Sequence, residues 1–456
     1  MQVSIDQVLS PLRRLGTASR AELVAALGAS AATVYRRLQE AEAQGRVARF
    51  GRGPATRYAL RGPLFGRARE SVPIYRVDGA GRIHQLADLE GLDGGATLIR
   101  APSGEALPAL LLGEQGTGYY DDLPFFLQDL RPQGFLGRQF ARSAAGWPDN
   151  PERWSTADIG TYLLDHAVDL PGDLLLGDAA VERWRAWEPL RAEAADFPEL
   201  AERVLAGEVA GSSAGGEQPK FAAEVAGRSV LVKFSPAGSD SVVARRSRDL
   251  LVCEHLALET LAEHGLGVAP SRLVEAGERI FLESERFDRT PAGGRLPALS
   301  LQSLDAEFVG AGQGWSRAAH GLARRGLLAE GVEATIALVE AFGDWIENSD
   351  QHLGNITLQP RPGGTLGLAP LYDILPMRHA PRQGEIPPRP AFHPPVARGG
   401  LEQWQTAGEL ARTFWQRAAA DDRLSPDFRK MARERAGAID AALQAPAADP
   451  EDAPGW

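Results

Sequence analysis

A carboxylate, an imidazole and an amide occur close together in the segment Asn348-Ser-Asp-Gln-His-Leu-Gly-Asn355. Asp350 is followed five residues later by Asn355, and the later segment LAPLYDILP predicts an apolar strand that ends in a second carboxylate, Asp373. Phosphoryl transfer to a hydroxyl needs a carboxylate that orients the nucleophile and accepts its proton, and it needs oxygen ligands for magnesium. The spacing therefore predicts a phosphoryl-transfer site in which Asp350 is the base and Asn355 and Asp373 hold the metal.

Lysine is rare in this chain, and two of the lysines lie near each other. Of 49 basic residues only three are lysine, namely Lys220, Lys233 and Lys430. Lys233 stands in the apolar strand pattern VLVKFSP, where a buried ammonium needs an anionic partner. The phosphates of a nucleotide would serve, with Glu254 of the following helix pattern holding the amine in place. Taken alone, Glu254 fits a solvent-facing helix glutamate and the Asp350–Asn355 spacing fits a turn, but the ensemble favours a nucleotide site.

The segment GSSAGGEQPK at 211–220 is a glycine- and serine-rich loop before two alternating strand patterns. Gly215 and Gly216 would let backbone N–H groups approach a phosphate without obstruction, and Lys220 closes the loop. The Walker pattern GxxxxGK[ST] is absent, and glycine-rich hairpin loops are common without any ligand. The loop alone is therefore weak evidence for a phosphate-binding site, and it supports such a site only together with the motifs that follow it.

The first sixty residues predict three helices and a two-stranded wing. Ser19 and Glu22 form a capping box, and apolar residues at helical spacing follow Ser30. Residues 1–70 carry twelve arginines against five acids, a net charge of +7 in a chain whose total is −11. This pattern predicts a DNA-binding winged helix–turn–helix, although a protein-binding helical module is the alternative. The predicted DNA-contacting residues are Thr33, Tyr35, Arg36, Arg37, Arg49, Arg52 and Arg57.

The length of 456 residues with 44% hydrophobic content predicts a globular protein of several domains. No apolar stretch is long enough to span a bilayer and the start does not match a signal peptide, so we expect a cytoplasmic protein with no membrane partner. Cys253, which is the only cysteine, excludes an internal disulfide and is expected to be a buried apolar residue. Trp147, Trp154, Trp184 and Trp187 are expected to be packing aromatics.

Together, the motifs SAGGEQPK, VKF, SERFDR, NSDQHLGN and PLYDILP resemble those of the HipA family of serine/threonine kinases over roughly residues 70–440. With a helix–turn–helix at the front, the chain resembles the YjjJ-type subgroup. The resemblance implies an α+β protein in which a winged helix–turn–helix precedes a two-lobed, protein-kinase-like domain with a mostly helical C-lobe. The expected units are the winged helix at 1–62, a HipA-like N-terminal subdomain at 63–200, a kinase N-lobe at 201–290, a helical C-lobe at 291–445 and a disordered tail at 446–456.

The resemblance also implies roles for individual residues. Lys233 would bind the ATP phosphates, and Asp350, Asn355 and Asp373 would take the roles deduced above, with magnesium as the metal. The segment at 285–288 would be the hinge between the lobes. The remaining implied site residues are Glu285 and Phe287 at adenine, Asp288 near the ribose, His352 beside the base, Lys220 on the phosphates, and Ser213 or its neighbour Ser212 as the autophosphorylated serine of the loop.

The sequence thus predicts an ATP- and magnesium-dependent kinase that phosphorylates a protein, with growth restraint as a toxin and a fused DNA-binding head for autoregulation. The family implies an aminoacyl-tRNA synthetase as a possible target class and an antitoxin as a possible partner. Binding to a symmetric operator would favour a homodimer. Two alternatives remain open at this point: a transcription regulator whose kinase body only senses a nucleotide, and a small-molecule kinase.

Overall fold

The structure is a computed structural model that describes residues 3–68, 71–103, 105–143, 146–208, 218–238, 240–397 and 400–444. The glycine-rich loop, with Ser212, Ser213, Gly215 and Gly216, therefore lies outside the described residues, as does the expected tail at 446–456. In the described part of the chain, no helix is both long and apolar enough to cross a membrane.

The described residues form helices and antiparallel strands in the following order. The helices are α1 (Ile5–Leu15), α2 (Arg20–Leu27), α3 (Ala31–Ala43), α4 (Phe125–Gln128), α5 (Gly134–Ser143), α6 (Thr156–Asp165), α7 (Asp178–Ala186), α8 (Phe197–Leu205), α9 (Val242–Glu263), α10 (Leu301–Phe308), α11 (Trp315–Arg324), α12 (Val332–Trp345), α13 (Leu401–Ala420) and α14 (Pro426–Gln444). The strands are β1 (Thr17–Ser19), β2 (Val47–Phe50), β3 (Arg57–Leu60), β4 (Ser71–Val77), β5 (Ile83–Gly91), β6 (Thr97–Arg100), β7 (Tyr119–Tyr120), β8 (Leu174–Leu176), β9 (Lys220–Val225), β10 (Arg228–Phe234), β11 (Ser271–Ala276), β12 (Arg279–Glu285), β13 (Leu299–Ser300), β14 (Thr357–Pro360) and β15 (Leu366–Leu368).

The N-terminal unit consists of α1–α3 and a small sheet in the order β1-β3-β2. Helix α2 begins where the sequence predicts, because the Ser19 hydroxyl accepts from the Glu22 N–H while the Glu22 carboxylate accepts from the Ser19 N–H. Such reciprocal capping satisfies two donors that a helix start otherwise leaves without partners. The expected helices and the β2–β3 hairpin are present, and β1 adds a third strand that the sequence did not predict.

This N-terminal unit packs directly against the sheet that follows it. One face of the β2–β3 hairpin, including Ala48 and Phe50, is buried against Leu92 and Leu98. The Phe50 ring stacks on Tyr119, with ring centroids 4.9 Å apart. The contact buries apolar surface on both sides, so the hairpin is fixed to the middle of the chain and not only tethered to it.

The middle of the chain forms a five-stranded antiparallel sheet in the order β7-β6-β5-β4-β8. Its buried residues share one continuous core with those of α9, α10 and α12. Trp147 and Trp154 pack on Phe140, with the centroids of the two indoles 4.6 Å apart, as expected for packing aromatics. Trp187 differs from this expectation, because 37% of its surface is exposed.

The next part is a four-stranded antiparallel sheet in the order β11-β12-β10-β9, against which α9 packs. Helices α10–α14 and a small sheet, β13-β14-β15, complete the chain. The sequence predicted an apolar strand that ends at Asp373, and this is wrong, because the strand ends at Leu368. The segment then leaves the sheet, since Leu371 forms backbone hydrogen bonds with Gly267 and Ala269, and Asp373 has a left-handed backbone with φ 59°.

Candidate active site

A cavity of about 230 Å³ lies where the β9–β12 sheet meets the C-terminal helices. Its lining includes described residues from each of the five motifs that carry the family resemblance. The cavity lining includes these site residues predicted from the sequence: Lys220, Lys233, Glu254, Glu285, Phe287, Asp288, His352, Asn355 and Asp373. Residues that are up to 153 positions apart in the chain thus face a single space, as a nucleotide site requires.

Lys233 is the electrostatic centre of the cavity. Its Nζ donates to both carboxylate oxygens of Glu254, at 2.7 and 2.8 Å, and to Oδ1 of Asp373 at 2.7 Å. Strand β10 supplies the lysine and α9 the glutamate, and both side chains are almost completely buried. The Glu254 expected from the sequence as a partner is therefore not a solvent-facing residue.

Burial and pairing act in opposite directions on this cluster. Burial alone would lower the pKa of Lys233, but Asp373 and Glu254 outweigh it and raise that pKa above its ordinary value. Burial would likewise raise the pKa of Asp373, yet Lys233 and Lys220 lower it. Burial does raise the pKa of Glu254, with Lys233 opposing the shift. The arrangement keeps an ammonium and an ionised Asp373 in a buried site.

The segment at 348–355 forms a compact loop after α12. The Asp350 N–H donates to Oδ1 of Asn348 at 3.0 Å, and Nδ2 of Asn355 donates to the Asp350 carbonyl at 2.8 Å. The indole of Trp315 donates to the His352 carbonyl at 2.9 Å, which fastens the loop to α11. Asp350 is half-buried and is not among the cavity-lining residues, whereas Asn355 and His352 are.

The end of β12 runs along the cavity and leads into the predicted hinge. Phe287 lines the cavity beside Tyr372, with ring centroids 5.6 Å apart. The Asp288 carboxylate accepts from Arg286, from Arg289 and from the Gly172 N–H. Its oxygens therefore hold the hinge in place, and contact with a ribose stays a prediction.

Sequence reasoning missed a residue from the middle of the chain. Asp129 lines the same cavity, and its carboxylate accepts from the Ser300 N–H, the Ser300 hydroxyl and the Ser303 hydroxyl at 2.6–2.8 Å. Burial raises the pKa of Asp129 in spite of these hydrogen bonds. Nothing in the local sequence DLRP marks this aspartate, because its partners lie more than 170 residues away.

The described residues contain no group of three or more His, Cys, Asp or Glu side chains that could hold a metal by themselves. Asn355 and Asp373 both line the cavity, and each carries a side-chain oxygen that can bind a metal. The amide of Asn355 donates through its nitrogen, which leaves its oxygen available. Two protein oxygens fit Mg²⁺, which usually binds one or two carboxylates together with phosphates and water.

The residues predicted to contact DNA differ in how accessible they are. Tyr35, Arg36, Arg49 and Arg52 are exposed on α3 and the β2–β3 hairpin. Arg37, Arg57 and Thr33 are half-buried and form hydrogen bonds within the unit. Arg37 donates to the Val3 carbonyl, Arg57 donates to the hydroxyl and carbonyl of Thr17, and the Thr33 hydroxyl shares a hydrogen bond with Ser30.

Comparison with known proteins gives consistent matches along the chain. The family model described as the middle domain of YjjJ-like toxins matches residues 68–185, and the model of the HipA-like C-terminal domain matches residues 212–444. Toxin YjjJ of Escherichia coli (strain K12) is 36% identical over 445 residues, which cover 93% of this chain and 96% of that protein.

Among solved structures, a HipA from Shewanella oneidensis MR-1 is similar in fold. It was solved as part of a toxin–antitoxin complex with HipB and operator DNA. The match has a TM-score of 0.53 at 15% identity and covers 81% of this chain and 96% of that one. At this identity the likeness shows the shared fold alone.

Proposed function

The chain belongs to the HipA-like toxins of the YjjJ type, and we propose that it is an ATP-dependent serine/threonine-protein kinase. The observation that carries the proposal is the convergence of Lys233, Glu254, Asn355 and Asp373 on one cavity. A lysine held by a helix glutamate beside an aspartate and an asparagine is the set that phosphoryl transfer from ATP requires. A protein that only senses a nucleotide has no need of both metal ligands.

In this proposal each side chain has a separate task. Glu254 holds the Lys233 ammonium where it can pair with nucleotide phosphates, and Lys220 adds a second positive charge. The backbone of Glu285 and Phe287 faces the adenine. Asp350 orients the hydroxyl of the protein substrate and accepts its proton, with His352 beside it.

Asn355 and Asp373 would hold Mg²⁺ through their side-chain oxygens. When bound, the ion would supply positive charge that offsets the negative charge developing during transfer. The Asn355 amide is oriented by its bond to the Asp350 carbonyl, so the proposed metal ligand and the proposed base are fixed relative to each other. Pre-set geometry of this kind lowers the cost of reaching the transition state.

The N-terminal unit at 1–62 is proposed to bind DNA as a winged helix–turn–helix and to allow autoregulation. Support comes from its net positive charge and from the exposed Arg36, Arg49 and Arg52. An antitoxin, an aminoacyl-tRNA synthetase target and a homodimer are further parts of the proposal. Autophosphorylation at Ser213 or Ser212 belongs to it too, although both serines lie outside the described residues. Phosphorylation would add about two negative charges to this loop and so oppose nucleotide binding.

The test is transfer of label from γ-labelled ATP, with the full-length protein incubated in an extract of cells that lack it. We expect label on protein, and we expect Asp350→Asn to abolish it. Asp422→Asn, the same substitution at an exposed position, is the matched control and should transfer normally. Label that appears only on small molecules, or equal transfer by the Asp350→Asn variant, would refute the proposal.

A further inference from the structure

A second cavity, of about 540 Å³, lies behind the hinge, between the β9–β10 hairpin and the middle of the chain. Its lining includes three arginines, Arg286, Arg289 and Arg295, and two tryptophans, Trp184 and Trp187. The arginines come from the segment after β12, whereas the tryptophans come from α7 and the residue that ends it. None of these side chains has a task in the proposed phosphoryl transfer, although Arg286 also lines the first cavity.

Four of the charged groups near this cavity satisfy one another. Asp169 accepts from Arg286 and from Arg289, at 2.6 Å in each case. Asp288 accepts from the same two arginines, at 2.8–3.1 Å. Two aspartates and two arginines therefore form a network of ion pairs with no net charge. A structural role is enough to explain this network.

Arg295 is the charge that this network does not balance. Its side chain is 1% exposed, yet Nε and Nη1 have no hydrogen-bond partner among the described residues. Only Nη2 is paired, with the Val168 carbonyl at 2.8 Å. A buried N–H group of a charged side chain costs free energy when it has no hydrogen-bond partner, so these groups need an explanation, and a bound ligand would provide one.

The position of Arg295 is fixed, which distinguishes it from a side chain that is loosely packed. Its backbone N–H donates to the Asp78 carbonyl at 3.1 Å, and its guanidinium lies over the Trp184 ring, 5.6 Å from the centroid. The indole face attracts the cation but accepts no directed pair of hydrogen bonds. Burial and the neighbouring Arg289 lower the pKa of Arg295 to about 9, which still leaves the guanidinium charged near neutral pH.

Two tryptophans that line the cavity indicate which uncharged group a ligand would carry besides its anionic group. Trp187 lines the cavity and is 37% exposed, and Trp184 lies next to Arg295. Aromatic rings pack well against indoles, and an oxygen of a carboxylate or phosphate forms a strong, charge-assisted hydrogen bond with a single arginine N–H. We propose that this cavity is a binding site for a small aromatic anion, whose charged group pairs with Arg295 and whose ring packs against Trp184 and Trp187.

The experiment is calorimetric titration of the full-length protein with phenyl phosphate, benzoate and inorganic phosphate. Phenyl phosphate and benzoate separate the two possible anionic groups, and inorganic phosphate lacks the ring. We expect saturable binding of at least one aromatic anion, and binding of inorganic phosphate about tenfold weaker or undetectable. Saturation with a non-hydrolysable ATP analogue and Mg²⁺ should not displace the aromatic anion, because the analogue occupies the first cavity.

Variants assign the binding to this cavity. Arg295→Met should weaken it by about 10- to 100-fold, since a charge-assisted hydrogen bond is lost. Trp187→Ala, at a position that is 37% exposed, should weaken it by about tenfold, and Lys430→Met, at an exposed position on α14, should leave it unchanged. Absence of saturable binding, or binding that survives both the Arg295 and the Trp187 substitutions, would overturn the inference. Failure of the ATP analogue to bind would count against the proposed kinase activity and not against this site.

Discussion

The pairing of Lys233 with Glu254 allows a sharp test by the substitution Glu254→Gln. Glutamine has nearly the same shape, but only its oxygen can accept from Nζ, and its NH₂ group faces a donor. The wild-type glutamate accepts twice, at 2.7 and 2.8 Å, from a side chain that is almost fully buried. A hydrogen bond between charged partners contributes about 1.5–3 kcal/mol and a neutral one about 1 kcal/mol. The substitution therefore removes about 2 kcal/mol of restraint on the ammonium.

We expect the loss of this restraint to weaken nucleotide binding. With Glu254 neutral, the remaining carboxylate partner of Lys233 is Asp373, at 2.7 Å, so the proposed metal ligand becomes the anchor of the lysine. Binding of Mg²⁺–ATP must then break that pair, and about 2 kcal/mol corresponds to a roughly 30-fold higher Kd. Calorimetry with a non-hydrolysable analogue measures this directly.

Glu259→Gln is the matched control for this substitution. Glu259 lies on the same helix, α9, but its side chain is exposed and its neighbour is His255 at 3.4 Å. Its substitution should change the Kd less than twofold. An unchanged Kd in Glu254→Gln, or an equal loss in Glu259→Gln, would refute the reasoning.

Three further predictions concern the metal, the DNA and the pH. Asn355→Ala should raise the Mg²⁺ concentration for half-maximal transfer by about tenfold, read from a magnesium titration at saturating ATP, and an unchanged midpoint would count against Asn355 as a ligand. Arg52→Ala should reduce by about 1 the slope of log K against log salt for DNA binding, and an unchanged slope would exclude a phosphate contact. Burial lowers the pKa of His379 below 6.5, with Glu347 opposing the shift. The unfolded chain therefore binds the proton more readily than the folded chain, so the contribution of neutral His379 to stability is fully present above about pH 6.5 and is lost as the pH falls towards the lowered pKa. His379→Gln should flatten the dependence of Tm on pH between about 5.5 and 7.5. An unaltered slope would contradict this.

Local patterns predicted the elements of this chain well. Ser19 with Glu22 marks the start of α2, and the alternating pattern around Lys233 marks a buried strand, because these signals depend on neighbours in sequence. The scarcity of lysine added an independent indication for Lys220 and Lys233. Both of these lysines prove to be buried at the cavity, while Lys430 is exposed.

Features that depend on distant contacts could not be predicted in the same way. Asp129 reaches the cavity only because Ser300 and Ser303 bind it across more than 170 residues. The path to Asp373 was predicted as a strand from its apolar residues, but Leu371 pairs with the segment at 267–269 and not with β15. Arg57 has the charge expected of a phosphate contact, yet Thr17 of its own unit accepts its hydrogen bonds. In each case a tertiary partner outweighs the local pattern.

The most direct test of the central claim is a crystal structure of the full-length protein with Mg²⁺ and a non-hydrolysable ATP analogue. We expect the phosphates within hydrogen-bond distance of the Lys233 Nζ, with the Asn355 and Asp373 oxygens about 2.1 Å from a magnesium ion. We also expect the adenine beside the backbone of Glu285 and Phe287. A nucleotide bound elsewhere, or a metal ion that neither Asn355 nor Asp373 contacts, would contradict the account.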